Sequence, residues 1–88
     1  MQWDKQKAIE NDRKHSIRFS DVEPVFYDPP ALTVEDPLSE TEQRVVTIGR
    51  DGFDRVLYVV YTYVDNDVRL ISARKASPGE VKYYEREN

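Results

Sequence analysis

From Arg44 onward the chain reads RVVTIGR, DGFD, RVLYVVYTYV, DND and VRLISARK, three Val-, Ile- and Tyr-rich runs separated by short turns. This stretch narrows the fold more than any other, because strand-forming runs at hairpin spacing make an antiparallel meander. The middle run, residues 55–64, is apolar or aromatic on both faces. It reads as a central strand covered by helices on one side and by long side chains on the other. Upstream, ALTVE is a fourth strand candidate, followed by the acidic loop DPLSETEQ.

The rest of the chain is helical in character. WDKQKAIENDRKH lacks Gly and Pro, so residues 4–15 are expected to form a helix with Asp4 near its start and Arg13, Lys14 and His15 in the last turn, where the helix dipole favours cations. One face of it carries Trp3, Lys7, Asn11 and then Lys14 or His15. FSDVEPVFYDPP predicts a short second helix, capped by a Ser20–Glu23 box with Phe19 as staple and stopped at Pro29 and Pro30. SPGEVKYYEREN predicts a C-terminal helix with Ser77 as N-cap, Pro78 at the first helical position and Glu80 closing the box. The expected architecture is an α+β fold, a single domain over 1–88, with two N-terminal helices, a four-stranded mainly antiparallel sheet and a C-terminal helix.

Composition excludes several classes of chemistry. With no cysteine and one histidine, the chain has no disulfides, no thiolate metal site and no His-rich metal cluster. It has no run of about 18 apolar residues and no signal-peptide core, so a soluble, cytoplasmic protein without membrane contact is expected. No P-loop, dinucleotide fingerprint, zinc-protease helix or nucleophile elbow is present, and no cofactor is expected. The net charge of −4 is unevenly spread: residues 20–43 hold seven acids and no Lys or Arg, whereas residues 1–19 hold five cations against three acids. A basic patch built from the two ends of the chain is compatible with that distribution.

The candidate chemistry is therefore cationic and acid–base. A histidine has an ordinary pKa of about 6.5, which makes His15 the default general acid or base, with a helix cap as the alternative. Strict alternation along VRLISARK sends Arg74 to one face with Ser72, and Lys75 to the other with Arg69. Arg74 stands at a strand end beside a helix N-terminus, suited either to an anion or to a carboxylate such as Glu80 or Glu42. Glu42 and Arg44, two apart at the mouth of a strand, are either an acid/base and anion pair or a surface salt bridge.

Three ordered strings then point further. WDKQKAIENDRKHSIRFSDVEPVFYDP resembles the W-D-x-x-K-x-x-x-N-x-x-K-H-G opening of BrnT toxins and its continuation to V-F-x-D-P, and EQRVVTIG and RLISARKA resemble their E-x-R-x-x-x-I-G and R-(I/L)-I-S-A-R-(R/K)-A segments. The resemblance runs from Trp3 to about Tyr84. It implies a RelE-like fold and the toxin of a bacterial type II toxin–antitoxin pair, a cofactor-free endoribonuclease neutralised by a DNA-binding, BrnA-like antitoxin. Contact with operator DNA would come only through that antitoxin, in a hetero-oligomer. Carried over by position, Lys7, Asn11, Lys14 and His15 match the first string, Glu42 and Arg44 the second and Arg69, Arg74 and Lys75 the third. The roles we assign are catalytic for Lys14, His15, Glu42 and Arg74, with Arg74 and Lys14 on the scissile phosphate and His15 or Glu42 as acid/base, and RNA-binding for Lys7, Asn11, Arg44, Arg69 and Lys75. The resemblance also implies metal-independent cleavage by the RNA 2′-hydroxyl. Two residues depart from the pattern: Ser16 replaces a glycine, and Val64 stands where many relatives carry an arginine. Val64 gives a second reading, a catalytically weakened binding module that pairs with the antitoxin and modulates operon repression.

Overall fold

The computed structural model describes residues 1–38 and 43–86. In chain order it contains β1 (Gln2–Trp3), α1 (Lys5–His15), two 3₁₀ segments (Phe19–Asp21 and Glu23–Tyr27), β2 (Leu32–Glu35), β3 (Val45–Arg50), β4 (Val56–Val64), β5 (Asp67–Lys75) and α2 (Pro78–Arg86). The expected meander is present, with β3–β4 and β4–β5 both antiparallel. Asp65 and Asn66 both take positive φ between β4 and β5, as a two-residue type I′ hairpin turn requires. The ALTVE strand is also present, as β2 on the outer side of β3.

The sheet has five strands rather than four, in the order β1-β5-β4-β3-β2. The extra strand is the two-residue β1, which pairs parallel with β5 through Gln2–Arg69 and Trp3–Leu70 and makes the sheet mixed. The second helix is corrected too. Residues 19–27 make two 3₁₀ segments, and neither has a side-chain cap bond. Pro24 has no N–H to give and its ring crowds the preceding turn, so so short a segment stops short of nucleating an α-helix. The burial expected of it survives: Phe19, Val22 and Val25 are buried and Phe26 packs edge-on to Tyr61.

β4 is covered on both faces. Leu57, Val59 and Tyr61 point into a core with Ile17, Phe19, Val22, Val25, Leu70 and Ala73, under α1 and the 3₁₀ segments. Val60 points the other way, toward Val46, Ile48 and Tyr84 of α2. Gly49, from the I-G of the second string, lies under Val25, where an added Cβ would stand 3.0 Å from both Val25 Cγ1 and its carbonyl oxygen. A side chain there would push the 3₁₀ segment off the sheet.

α1 is capped by the Asp4 carboxylate, which accepts from the Lys7 amide at 3.0 Å. At its other end Ser16 takes the left-handed conformation (φ 57°, ψ 33°), its amide donating to Asp12 O at 2.9 Å. A residue with a Cβ is strained there. Ser16→Gly is expected to stabilise the protein by about 0.5 to 1 kcal/mol, a rise of several degrees in Tm for a chain of this size. A fall in Tm in a thermal melt would contradict this account of the helix end.

Candidate functional site

Asn11 fixes where α1 lies. Its side chain is buried, and its amide donates to Ile17 O at 2.9 Å and to Ala73 O at 2.8 Å while accepting from the Ala73 amide at 3.0 Å. It pairs with the β5 edge as a neighbouring strand would, just beyond the two residues that β1 covers. Both donors of the amide are thereby engaged. Asn11 thus positions α1 on the β5 edge while also lining the cleft described next.

That pin sets the height of everything else on the same helix face. Lys7 and His15 lie one turn on either side of Asn11, about 6 Å away along the axis, with Lys14 beside His15. Against β5 they form a cleft of about 220 Å³, to which α1 contributes Lys7, Glu10, Asn11, Lys14 and His15 and β5 contributes Ile71 and Ser72. A second hollow of about 250 Å³ is lined by Lys7, Thr62, Val64, Arg69, Leu70 and Ile71. The two share Lys7 and Ile71 and so adjoin, and together they are called the trough, reaching from the end of α1 to the open face of the sheet.

Arg69 reaches this trough through an irregularity that alternation does not reveal. Val60 pairs with Ser72, but the next residue, Tyr61, pairs with Leu70, leaving Ile71 as the extra residue of a bulge. Arg69 pairs with Thr62, Ser72 with Val60 and Arg74 with Tyr58, three residues that alternate on a single face of β4. Arg69 therefore shares the Arg74 face. The expected pairing of Arg69 with Lys75 is corrected: Lys75 pairs with Leu57 and belongs to the opposite side, exposed at the strand end. Arg44 precedes β3 by one residue. Extending the Val45–Tyr61 register places it opposite Thr62, whose hydroxyl donates to Gln43 O at 2.8 Å. Arg44, Thr62 and Arg69 thus form a row across the face that adjoins the trough.

Arg74 is committed elsewhere. Its guanidinium donates to both Glu80 oxygens, at 2.8 and 2.9 Å, and lies 4.0 Å from the centre of the Tyr58 ring. Glu80 also accepts from the Ser77 amide at 2.8 Å, and the Glu80 amide donates to the Ser77 hydroxyl at 3.2 Å, completing the predicted capping box. A bidentate carboxylate fills the fork that a phosphate would use. Of the two readings of Arg74, the carboxylate partner is the one formed, and Arg74 anchors α2 to the sheet. Glu42 lies outside the described residues.

The Arg74 hydrogen bonds hold the Glu80 carboxyl below its ordinary value of 4.5, against the opposing effect of burial. Such a group stabilises the fold above the ordinary carboxylate range, and that stability is lost as pH falls through the depressed folded value. Glu80→Gln is expected to cost about 1 kcal/mol near pH 7 for this half-exposed pair. The deficit should shrink as the medium is acidified below about pH 4.5. Denaturation at a series of pH values checks this, and a deficit constant down to strong acid would contradict it.

What remains unengaged is informative. Among the described residues, the side chains of Lys7, Lys14, His15 and Arg69 find no hydrogen bond, ion pair or ring contact, whereas Arg18, Arg50, Arg55 and Arg74 are all ion-paired. The trough thus collects three cations and an imidazole that the described residues leave unpaired, as a site for a polyanion does. Sequence reasoning missed Glu10, the acid between Lys7 and Lys14, which falls on an unspecified position of the motif. Among the described residues there is no group of three His, Asp or Glu placed to hold a metal, and no helix long and apolar enough to cross a membrane. The chemistry on offer from the described side chains is general acid–base and electrostatic.

Comparison with known proteins agrees with the strings. No curated protein matches the chain. Among solved structures it is similar to the crystal structure of the Brucella abortus ribonuclease toxin BrnT, at 25% identity over 88% of this chain and 95% of that one, with a TM-score of 0.69. The family described as "Ribonuclease toxin, BrnT, of type II toxin-antitoxin system" matches residues 3–80, a span that holds α1, strands β2 to β5 and the Arg74–Glu80 anchor. The chain belongs to the BrnT family of ribonuclease toxins of type II toxin–antitoxin systems.

Proposed function

We propose that this protein is an endoribonuclease toxin whose substrate lies in the trough between α1 and β5. The observation that carries this reading is the gathering of Lys7, Lys14, His15 and Arg69, none with a side-chain partner among the described residues, around two adjoining hollows. Lys7, Lys14 and Arg69 hold the RNA phosphates, with Arg44 and Lys75 as outlying contacts, and His15 transfers a proton. In such a reaction the 2′-oxygen of one nucleotide attacks the adjacent phosphorus as its proton passes to a base. The bond to the 5′-oxygen breaks, and that oxygen takes a proton from an acid. The products are a 2′,3′-cyclic phosphate and a 5′-hydroxyl, and the lysines stabilise the charge that builds on the phosphorus oxygens. Glu42 remains the proposed second acid/base partner, completing the proton transfers with His15.

The antitoxin partner implied by family membership is proposed to be a BrnA-like DNA-binding protein that covers the trough in a hetero-oligomer. The test uses toxin freed of antitoxin, incubated with RNA and excess chelator. Cleavage is expected to persist, to leave cyclic phosphate ends, and to stop when the nucleotide at the scissile bond is 2′-deoxy. Intact RNA, or cleavage indifferent to the 2′-deoxy substitution, would overturn the reading.

One observation favours a weakened enzyme. Val64 lines the trough beside Lys7 and Arg69, so an arginine there would add its fork directly to the cationic wall. Val64→Arg is expected to raise cleavage by about tenfold or more, since one added charge-assisted contact is worth at least about 1.5 kcal/mol. Unchanged or lower activity in a cleavage assay would show that the trough at Val64 is not limiting.

A further inference from the structure

The cleft contains one acid that phosphate binding does not explain. Glu10 sits between Lys7 and Lys14 on the face of α1 that lines it, and its carboxylate makes no ion pair among the described residues, not even with Lys14 four residues on. An anion in this place repels phosphate, so its use must lie with another part of a nucleotide. Lys7 and Lys14 are about 10 Å apart along the helix. That spacing leaves room for a base between two phosphates. Ile71 offers an apolar wall for the face of a ring, and the cleft is small enough to take one base rather than a stack.

We infer that Glu10 selects guanine, its carboxylate accepting from the N1–H and the 2-amino group of a base bound between Lys7 and Lys14. The choice follows from base chemistry. A carboxylate has two acceptor oxygens, and guanine alone presents two adjacent donors on its Watson–Crick edge. Adenine and cytosine each pair one amino group with a ring-nitrogen acceptor, and uracil flanks its single N–H with two carbonyls. Each of these sets a lone pair against the carboxylate. The motif leaves position 10 open, so this selectivity belongs to the chain's own sequence rather than to the residues that the resemblance carries over.

The inference deepens the ribonuclease reading and rests on it for its biological meaning, but its test does not need cleavage. Binding of GMP, IMP, AMP, CMP and UMP to the antitoxin-free protein is measured by calorimetry or NMR titration. GMP is expected to bind about tenfold more tightly than AMP, CMP or UMP, with IMP, which keeps N1–H and lacks the 2-amino group, in between. Glu10→Gln, a near-isosteric change at an exposed position, is expected to remove the preference without lowering Tm. Glu10→Ala provides a second variant with the same expected outcome. Equal affinity for all five nucleotides, or a GMP preference that both variants retain, would overturn the inference. If the wild type cleaves RNA but shows no GMP preference, the inference fails and the ribonuclease reading stands. GMP selectivity that depends on Glu10 in a protein that cleaves no RNA supports the inference and removes the other.

Discussion

His15→Ala is expected to lower the rate of RNA cleavage by about 10²- to 10⁴-fold, the usual worth of a positioned general acid or base. The fold should be unaffected, because His15 is exposed at the last position of α1 and its ring has no partner among the described residues. Stability within about 0.5 kcal/mol of wild type is expected for such a surface change. RNA affinity should also hold, since Lys7, Lys14 and Arg69 remain. The informative result is thus a fall in turnover with Tm and binding preserved. Cleavage at the wild-type rate would remove His15 from the chemistry and leave it as a surface residue at the helix end.

Asn11→Ala is expected to act through stability instead. It leaves the Ala73 amide, the Ala73 carbonyl and the Ile17 carbonyl without the partner that satisfies them. Each such loss costs about 1 to 3 kcal/mol when the group stays dry. Water reaching the cleft offsets part of this, so about 3 kcal/mol in all is expected. That is a large share of the roughly 5 to 15 kcal/mol that holds a small domain folded. Asn11→Asp separates geometry from chemistry. It keeps the acceptor for the Ala73 amide but turns an oxygen toward two carbonyls, so it is expected to destabilise at least as much. Urea denaturation should show a lower midpoint at unchanged slope for both. A wild-type midpoint in either variant would contradict the positioning role and return Asn11 to the substrate.

Much of the architecture was legible because it rests on strong local signals. The meander follows from strand composition and turn spacing, α1 from an uninterrupted helical composition with Asp4 at its start, and α2 from the Ser77–Pro78–Glu80 cap. The misses share a cause, namely that tertiary pairing decided them. β1 is two residues long and has no periodicity to read; it exists because β5 offers an edge. The 19–27 segment carries a capping-box pattern, but Pro24 and its short length outweigh it. At the site, the helix-face stripe of Lys7, Asn11, Lys14 and His15 was visible from spacing alone, whereas the task of Asn11 was not, since its partner lies 62 residues away. The bulge at Ile71 is equally silent in sequence, and it moves Arg69 to the face where alternation does not put it. Arg74 was legible as a choice between anion and carboxylate, and here its fork is held by Glu80, itself oriented by its own capping box.

The central claim is that the cations of the α1–β5 trough, and not the cations of the protein at large, hold the RNA. The most direct test compares two charge-matched variants of the antitoxin-free protein: Lys7→Ala with Lys14→Ala, inside the trough, and Lys5→Ala with Lys82→Ala, exposed and outside it. RNA affinity and cleavage are measured for both at one salt concentration, because phosphate binding is salt-dependent. Loss of both in the first pair with near-wild-type behaviour in the second is the predicted result. Equal effects of the two pairs, or full activity without Lys7 and Lys14, would contradict it.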